Sequence, residues 1–344
     1  MPVPVRDRLG RPLHTLRVSV TDRCNLRCAY CMPEDDYVWS PRKAVLTFEE
    51  VDRVVAALMP LGLRRVRLTG GEPLLRRDLP ELVATLRRRL GPTADLALTT
   101  NGTRLAGVAA ELAVAGLSRI TVSLDTLRRE RFRALARRDA LPAALAGIEA
   151  ARSAGLPLKL DTVLLYGVNH DEVGELLDFA RDLGAELRFI EYMDVGGATR
   201  WRLEDVVPRD RILAEVSGYA AETPRPLPGR GARPAERFLL ERREQVFGIV
   251  PSVTAPFCRA CDRARLTAEG TLFGCLYARR GLDLRPPLRS GATVEGLGVL
   301  VAGWWRGRSD RGAEERAALP QRGALAPSEV LRLEPWLEMH HRGG

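Results

Sequence analysis

The sequence predicts an α/β protein: six β-α units building a parallel sheet, short of the eight that close a full barrel, then a smaller unit carrying cysteines. Three observations predict it. Short β-branched runs alternate with helical stretches of about a dozen residues over roughly the first 200 positions, the rhythm of a parallel sheet. Polar or turn-forming residues recur where each run stops, as reactive residues do at the carboxyl ends of parallel strands. After about Gly218 the alternation ceases, and a Pro/Gly/Arg-rich stretch at 224–234 reads as loop. We place a boundary there, with residues 1–217 as the barrel and 218–344 as a smaller unit that is expected to fold around the second cysteine group and cover the open end of the barrel.

Taken in order, strands are expected at 16–20, 66–69, 96–99, 120–124, 158–163 and 187–190. The helix at 47–58 opens on a capping box, since Thr47 and Glu50 can satisfy each other's free amides. Helices follow at 79–90, 105–115, 141–154 and 173–183, and the first three of these end near Gly91, Gly116 and Gly155, which suit the left-handed residue after a helix. The first strand stops just before Cys24. The second runs into Thr69-Gly70-Gly71-Glu72-Pro73, the third into Thr99-Thr100-Asn101-Gly102 and the fourth into Ser123-Leu124-Asp125. Such residues also dominate ordinary turns, so each of these ends has a purely structural reading beside the functional one.

With 45% hydrophobic and 28% charged residues, the 344-residue chain has a globular balance that excludes an extended disordered protein. No run approaches the roughly 18 apolar residues of a membrane helix. No export signal is visible, so the cytoplasm is the expected compartment and no membrane partner is expected. Fifty-three Lys and Arg against 44 Asp and Glu give +9, which admits nucleic acid, an anionic nucleotide or a basic surface. All the basic residues are Arg except Lys43 and Lys159. Lys159 stands between Leu158 and Leu160 in a run that reads as buried, a position where a compact ammonium is not replaceable by a planar guanidinium.

The six cysteines form two trios, Cys24, Cys28 and Cys31, then Cys258, Cys261 and Cys275. In a cytoplasmic chain of this size metal binding or redox chemistry is a better reading than disulfides. Structural zinc usually takes four Cys or His ligands, and neither trio has a His nearby in sequence. Iron–sulfur clusters suit three thiolates when one iron stays open to bind something else.

The first trio reads C-x3-C-x2-C, with Tyr30 before its third Cys and Met32-Pro33 after it. This resembles the radical S-adenosylmethionine (SAM) superfamily. The resemblance implies an incomplete (βα)6 radical SAM barrel with a smaller C-terminal cluster-binding domain. Cys24, Cys28 and Cys31 would hold a [4Fe–4S] cluster whose fourth iron chelates SAM, and SAM cleavage would release a 5′-deoxyadenosyl radical. Gly70-Gly71-Glu72-Pro73 resembles the superfamily's motif at the SAM amino group, where a backbone must pass close to a ligand.

The second trio, C-x2-C-x13-C with Arg263-Ala264-Arg265 inside it, narrows the resemblance. With Leu74-Leu75-Arg76 after the glycine motif, the run from Phe189 to Gly196 and the final Gly343-Gly344, the chain resembles the GTP 3′,8-cyclase family of molybdenum cofactor biosynthesis over its full length. That implies a second [4Fe–4S] cluster on Cys258, Cys261 and Cys275, with the guanine of GTP at its open iron. Arg17, Arg67, Thr99, Lys159, Arg263, Ala264 and Arg265 match GTP contacts; Tyr30, Gly71, Ser123 and Met193 match SAM contacts. Gly343 and Gly344 match a tail that enters the active site, although His340-His341-Arg342 departs from the apolar residues expected before it. The five cations should face the cavity, because a triphosphate inside a barrel needs paired charges. The implied reaction removes H3′ from the ribose; the C3′ radical attacks C8, and reduction of the resulting aminyl radical gives (8S)-3′,8-cyclo-7,8-dihydroguanosine 5′-triphosphate. A reductant protein such as flavodoxin or ferredoxin and a downstream cyclic pyranopterin monophosphate synthase are the implied partners, with homodimerisation left open.

Two rivals stand beside this reading. Another two-cluster radical SAM enzyme, such as a peptide-modifying maturase, usually carries more C-terminal cysteines and a peptide-recognition module upstream. A basic RNA-binding or RNA-modifying protein is suggested by runs such as Arg87-Arg88-Arg89, but no aromatic residue lies in those runs to stack on bases, so nucleic acid is not expected.

Overall fold

The computed structural model describes residues 4–343. Six parallel strands lie side by side in chain order: β1 (Thr15–Ser19), β2 (Arg65–Thr69), β3 (Asp95–Thr100), β4 (Arg119–Ser123), β5 (Leu158–Leu164) and β6 (Glu186–Glu191). Between them run α1 (Phe48–Leu58), α2 (Leu79–Leu90), α3 (Ala109–Val114), α4 (Arg129–Ala136), α5 (Leu141–Ser153) and α6 (Val173–Asp182), and α7 (Arg209–Ala220) follows β6. Each expected strand is present within a residue or two. The capping box forms, with Glu50 N donating to Thr47 Oγ1 at 3.2 Å and Thr47 N to Glu50 Oε2 at 2.8 Å. The helix expected at 105–115 divides into a 3-10 turn, Leu105–Gly107, and α3. Helix α4 was not expected from the sequence, because only Phe132, Leu135 and Ala136 of its eight residues are buried and charge hides that narrow face.

Strand alternation sorts the side chains into two layers. Leu16, Val18, Val66 and Leu68 point outward against the helices, each at most 1% exposed, while Arg17 and Arg67 point to the concave side. The main apolar core is the outer layer between sheet and helices.

The segment beyond 218 does more than cover the open end. It extends the sheet at both edges. Strands β7 (Arg225–Leu227), β8 (Glu236–Leu240) and β9 (Gln245–Val250) continue past β6, with β9 parallel to it. Strands β10 (Arg263–Leu266), β11 (Thr271–Phe273) and β12 (Leu282–Asp283) continue past β1, with β10 parallel to it. The result is one twelve-stranded sheet, ordered β12-β11-β10-β1-β2-β3-β4-β5-β6-β9-β8-β7. It curls, because residues from both flanks, Arg265 and Arg237 among them, line the same cavity.

Helices α8 (Arg285–Arg289), α9 (Val294–Arg306), α10 (Gly312–Ala317), α11 (Ser328–Leu333) and α12 (Met339–Arg342) complete the chain. Helix α9 packs on α1, with Trp305 fully buried and its indole N–H donating to Arg11 O at 3.1 Å. Fully buried Asp194, just past β6, gathers Arg316 at 2.7 Å, Arg322 at 2.8 Å and the Tyr277 hydroxyl at 2.8 Å, fastening the 312–326 region over the cavity. Among the described residues no helix is long and apolar enough to cross a membrane.

Candidate active site

A cavity of about 870 Å³ occupies the concave side of the sheet, and all six cysteines line it. Strand direction puts the two trios at opposite mouths. Cys24, Cys28 and Cys31 follow the end of β1, whereas Cys258 and Cys261 precede β10, which runs parallel to β1 with Arg263 paired to Thr15. Because β11 returns antiparallel to β10, Cys275 comes back to the level of Cys258 and Cys261. A five-residue strand separates the mouths by about 16 Å.

The first trio sits on a tight loop, with Cys31 N and Met32 N donating to Cys28 O at 2.9 and 2.8 Å. Two glycines let backbone pass against it. A Cβ on Gly71 would lie 2.4 Å from Arg23 O, and one on Gly197 would lie 1.9 Å from Cys31 O.

The trios fit a group larger than one ion. Three thiolates at about 2.3 Å from a shared ion would stand under 4 Å apart, and among the described residues neither trio has its ligand atoms gathered within 4.8 Å. Burial pushes the Cys28 and Cys31 thiols well up and that of Cys24 to about 11, so thiolates there need a bound positive group in contact. At the second mouth burial also opposes ionisation of Cys261, but Arg263 and Arg308 outweigh it and pull the thiol below its ordinary value.

Ten basic side chains and six carboxylates line the cavity, an excess of four positive charges. Some are matched within the protein. Arg119 pairs with Asp95 at 2.7 Å, and Glu186 takes Lys159 and Arg188 at 2.8 Å each and Arg237 at 3.2 Å. Others are not. Arg265, Arg17 and Arg67 stand at one level across β10, β1 and β2. Among the described residues none of these three, nor Arg263, has a carboxylate within 4.0 Å. Arg67 donates to Thr99 Oγ1 at 2.9 Å, and Arg263 lies over the Phe257 ring at 4.6 Å. Burial, and then the neighbouring guanidiniums, depress the pKa of Arg17 and bring Arg265 to about 10.

The chain matches the Radical SAM superfamily over residues 18–180 and Molybdenum Cofactor Synthesis C over residues 185–313. It is 48% identical over 346 residues to GTP 3′,8-cyclase 1 of Mycobacterium tuberculosis, covering 99% of this chain and 96% of that one. It is 50% identical over 327 residues to GTP 3′,8-cyclase of Acidothermus cellulolyticus, covering 92% and 90%. The chain belongs to the GTP 3′,8-cyclase family. Its fold is shared with SuiB of Streptococcus suis solved with S-adenosylmethionine, at a TM-score of 0.60 and 14% identity, over 90% of this chain and 68% of that one.

Within this GTP 3′,8-cyclase family chain, Tyr30, Gly71, Ser123 and Met193 line the cavity, as do Thr99, Lys159 and the four arginines. The Tyr30 hydroxyl donates to Asp125 Oδ2 at 2.6 Å, and burial raises Asp125 to about 6. Ala264 does not face the cavity. It alternates with Arg263 and Arg265, so its side chain is fully buried in the outer core opposite Leu16, and only its peptide groups are available to a ligand. Gly343 is buried, accepts from Arg265 at 2.8 Å, and leaves no room for a Cβ, which would lie 2.3 Å from Thr69 Cγ2. The tail thus reaches the ends of β1 and β2; Gly344 lies outside the described residues.

Sequence reasoning placed Asp125 at the end of the fourth strand without a role, and missed Glu186, Arg188 and Gly197. Glu186 and Arg188 had a signal, since they alternate with Leu187 and Phe189 on an apolar strand. Gly197 had none, because its contact with Cys31 spans most of the barrel sequence.

Proposed function

We propose that this chain is a GTP 3′,8-cyclase, a lyase of molybdenum cofactor biosynthesis that converts GTP to (8S)-3′,8-cyclo-7,8-dihydroguanosine 5′-triphosphate, using SAM and two [4Fe–4S] clusters. The observation that carries the reading is the bracketing of one cavity with a four-charge positive excess by two cysteine trios. Cys24, Cys28 and Cys31 hold one cluster, and Cys258, Cys261 and Cys275 the other. When bound, SAM at the first cluster supplies the 5′-deoxyadenosyl radical that takes H3′ from the ribose.

The chain's residues bind and orient. Arg17, Arg67, Arg263 and Arg265, with Lys159 and Thr99, hold the triphosphate, whose three or four negative charges relieve the repulsion among guanidiniums that have no carboxylate of their own. The peptide groups of Ala264 add donors and acceptors beside them. Tyr30, Gly71, Ser123 and Met193 seat SAM at the other mouth, the Tyr30 ring held in place by its bond to Asp125. Gly343, through its carbonyl, steadies Arg265. Asp194, Arg316 and Arg322 keep the covering region closed, which limits water around reactive species. Residues 1–217 supply the SAM side and 218–344 the second trio and the flanking strands. A flavodoxin- or ferredoxin-like protein supplies electrons in the cytoplasm, and a cyclic pyranopterin monophosphate synthase consumes the product.

The test is anaerobic incubation of the iron-loaded protein with SAM, dithionite and GTP, following 5′-deoxyadenosine and the cyclised nucleotide. Both should appear in step. Deoxyadenosine without loss of GTP would overturn the substrate, and neither product in an iron-loaded sample would overturn the whole reading.

A further inference from the structure

Outside the cavity, a second cluster of potential ligands stands at the tail. Among the described residues one trio of His, Cys, Asp or Glu side chains has its ligand atoms all within 4.8 Å of one another: Asp22, Glu269 and His341. None of the three lines the cavity. Asp22 belongs to the turn between β1 and the first cysteine loop, Glu269 to the β10–β11 turn, and His341 to α12, two residues before Gly343. The site is therefore assembled from three parts of the chain far apart in sequence.

Two observations go beyond the grouping itself. His341 is 3% exposed, and neither ring nitrogen makes a hydrogen bond, although Nδ1 lies 3.2 Å from Glu269 Oε1. A buried imidazole that stands beside one carboxylate without a directed hydrogen bond to it, and whose Nε2 has no partner, calls for an explanation, an ion being one. Atoms 3.2 Å apart, each bonded at about 2.1 Å to a common ion, subtend about 100° at it, an ordinary ligand–metal–ligand angle. The carboxylates are also held as ligands usually are: Ser40 N donates to Asp22 Oδ2 at 2.5 Å, and the Ser40 hydroxyl bonds Glu269 Oε1. Asp22 is 1% exposed, and its carboxylate and that of Glu269 converge on one point, where a divalent ion would balance them.

We infer that Asp22, Glu269 and His341 form a divalent-cation site that fastens α12, and with it Gly343, to the loop entering the first cysteine trio. One imidazole and two carboxylates suit Mn²⁺, Fe²⁺ or Zn²⁺, with water completing the shell. The site differs in chemistry from both cysteine trios and does not depend on what the cavity binds.

Mn²⁺ is the probe, because it favours oxygen and imidazole over the thiolates of the trios. The holoenzyme, with clusters oxidised and passed over a chelating resin, is titrated while the free-Mn²⁺ EPR signal is followed, and hydrogen exchange of residues 339–343 is measured alongside. The expected result is about one Mn²⁺ per chain, with affinity at least tenfold weaker in His341→Leu and in the near-isosteric Glu269→Gln at unchanged iron content. Exchange in 339–343 should slow about tenfold with Mn²⁺ in the parent and not in either variant. Absence of stoichiometric binding up to about 1 mM, or equal binding in parent and variants, would overturn the site and leave His341 and Glu269 as a plain ion pair. Binding without slower exchange would overturn the fastening role.

Discussion

Replacing Arg17 by Met should make the ligand-free enzyme more stable and its GTP complex weaker. Arg17 stands in the middle of β1 between Arg265 and Arg67 on the neighbouring strands. Burial and then Arg265, Arg67 and Arg263 all press its pKa downward, with Asp161 opposing. Without an anion in the cavity the charge is a cost. Exchanging even paired buried charges for apolar groups of similar volume is often neutral or stabilising, by up to about 1–4 kcal/mol. Arg17 still touches the cavity, so the lower end applies, about 1 kcal/mol, or a thermal midpoint raised by about 2 °C in a chain of this size. With GTP bound the sign reverses. A hydrogen bond to a charged group contributes about 1.5–3 kcal/mol, so the variant should bind GTP about 10- to 150-fold more weakly. Thermal unfolding of the cluster-loaded protein with and without GTP, together with steady-state kinetics, reads both effects. A lower midpoint without GTP and an unchanged dependence on GTP would refute the reasoning and make Arg17 a structural residue.

Four further outcomes follow from the same geometry. Cys275→Ala should still cleave SAM to 5′-deoxyadenosine yet lose GTP conversion, and intact GTP conversion would remove the second trio from the chemistry. Arg263→Ala and Arg265→Ala leave every thiolate in place, so GTP turnover should fall at least about tenfold with iron content preserved; parallel loss of iron would show a structural role. Gly197→Ala places a methyl 1.9 Å from Cys31 O, so SAM binding and the iron of the first cluster should be lost while the second is retained, and full iron content would contradict the close approach. Burial raises the pKa of Glu186, but Arg188 and Lys159 outweigh it and hold the carboxyl at about 2, below its unfolded value. Its contribution is therefore present above about pH 4.5 and lost as pH falls toward 2. After screening by cavity water, Glu186→Gln should cost about 1–2 kcal/mol at pH 7, and a midpoint difference that does not narrow below pH 4.5 would refute the pairing.

The six-stranded frame was legible because its signals are local. Leu16 and Val18, or Val66 and Leu68, announce an outward face within four residues, and Thr47 with Glu50 announces a helix start within three. The flanking strands carry no such signal. Strand β10 is four residues long, and what makes it part of the barrel is pairing with β1 nearly 250 positions earlier. Nothing within Arg263–Leu266 encodes that partner, so the C-terminal segment reads from sequence as a cover when it is also both walls.

The same gap explains what was and was not visible of the site. Thiol spacing grouped the cysteines into two trios and carried the resemblance that implies what they hold, but only the direction of β10 discloses that the second trio lies at the amino ends of the strands, at the opposite mouth of the cavity from the first. Alternation alone would have excluded the Ala264 side chain, since Arg263 and Arg265 cannot share a face with the residue between them. Alternation would not have found the row Arg265–Arg17–Arg67, which exists only once three strands are in register. Like charges directly opposite on neighbouring strands destabilise a sheet. Three in a row, with none of the cavity's six carboxylates in ion-pair reach, are a standing cost to the empty protein. A sheet that keeps this row is organised around an anion that the chain itself does not supply.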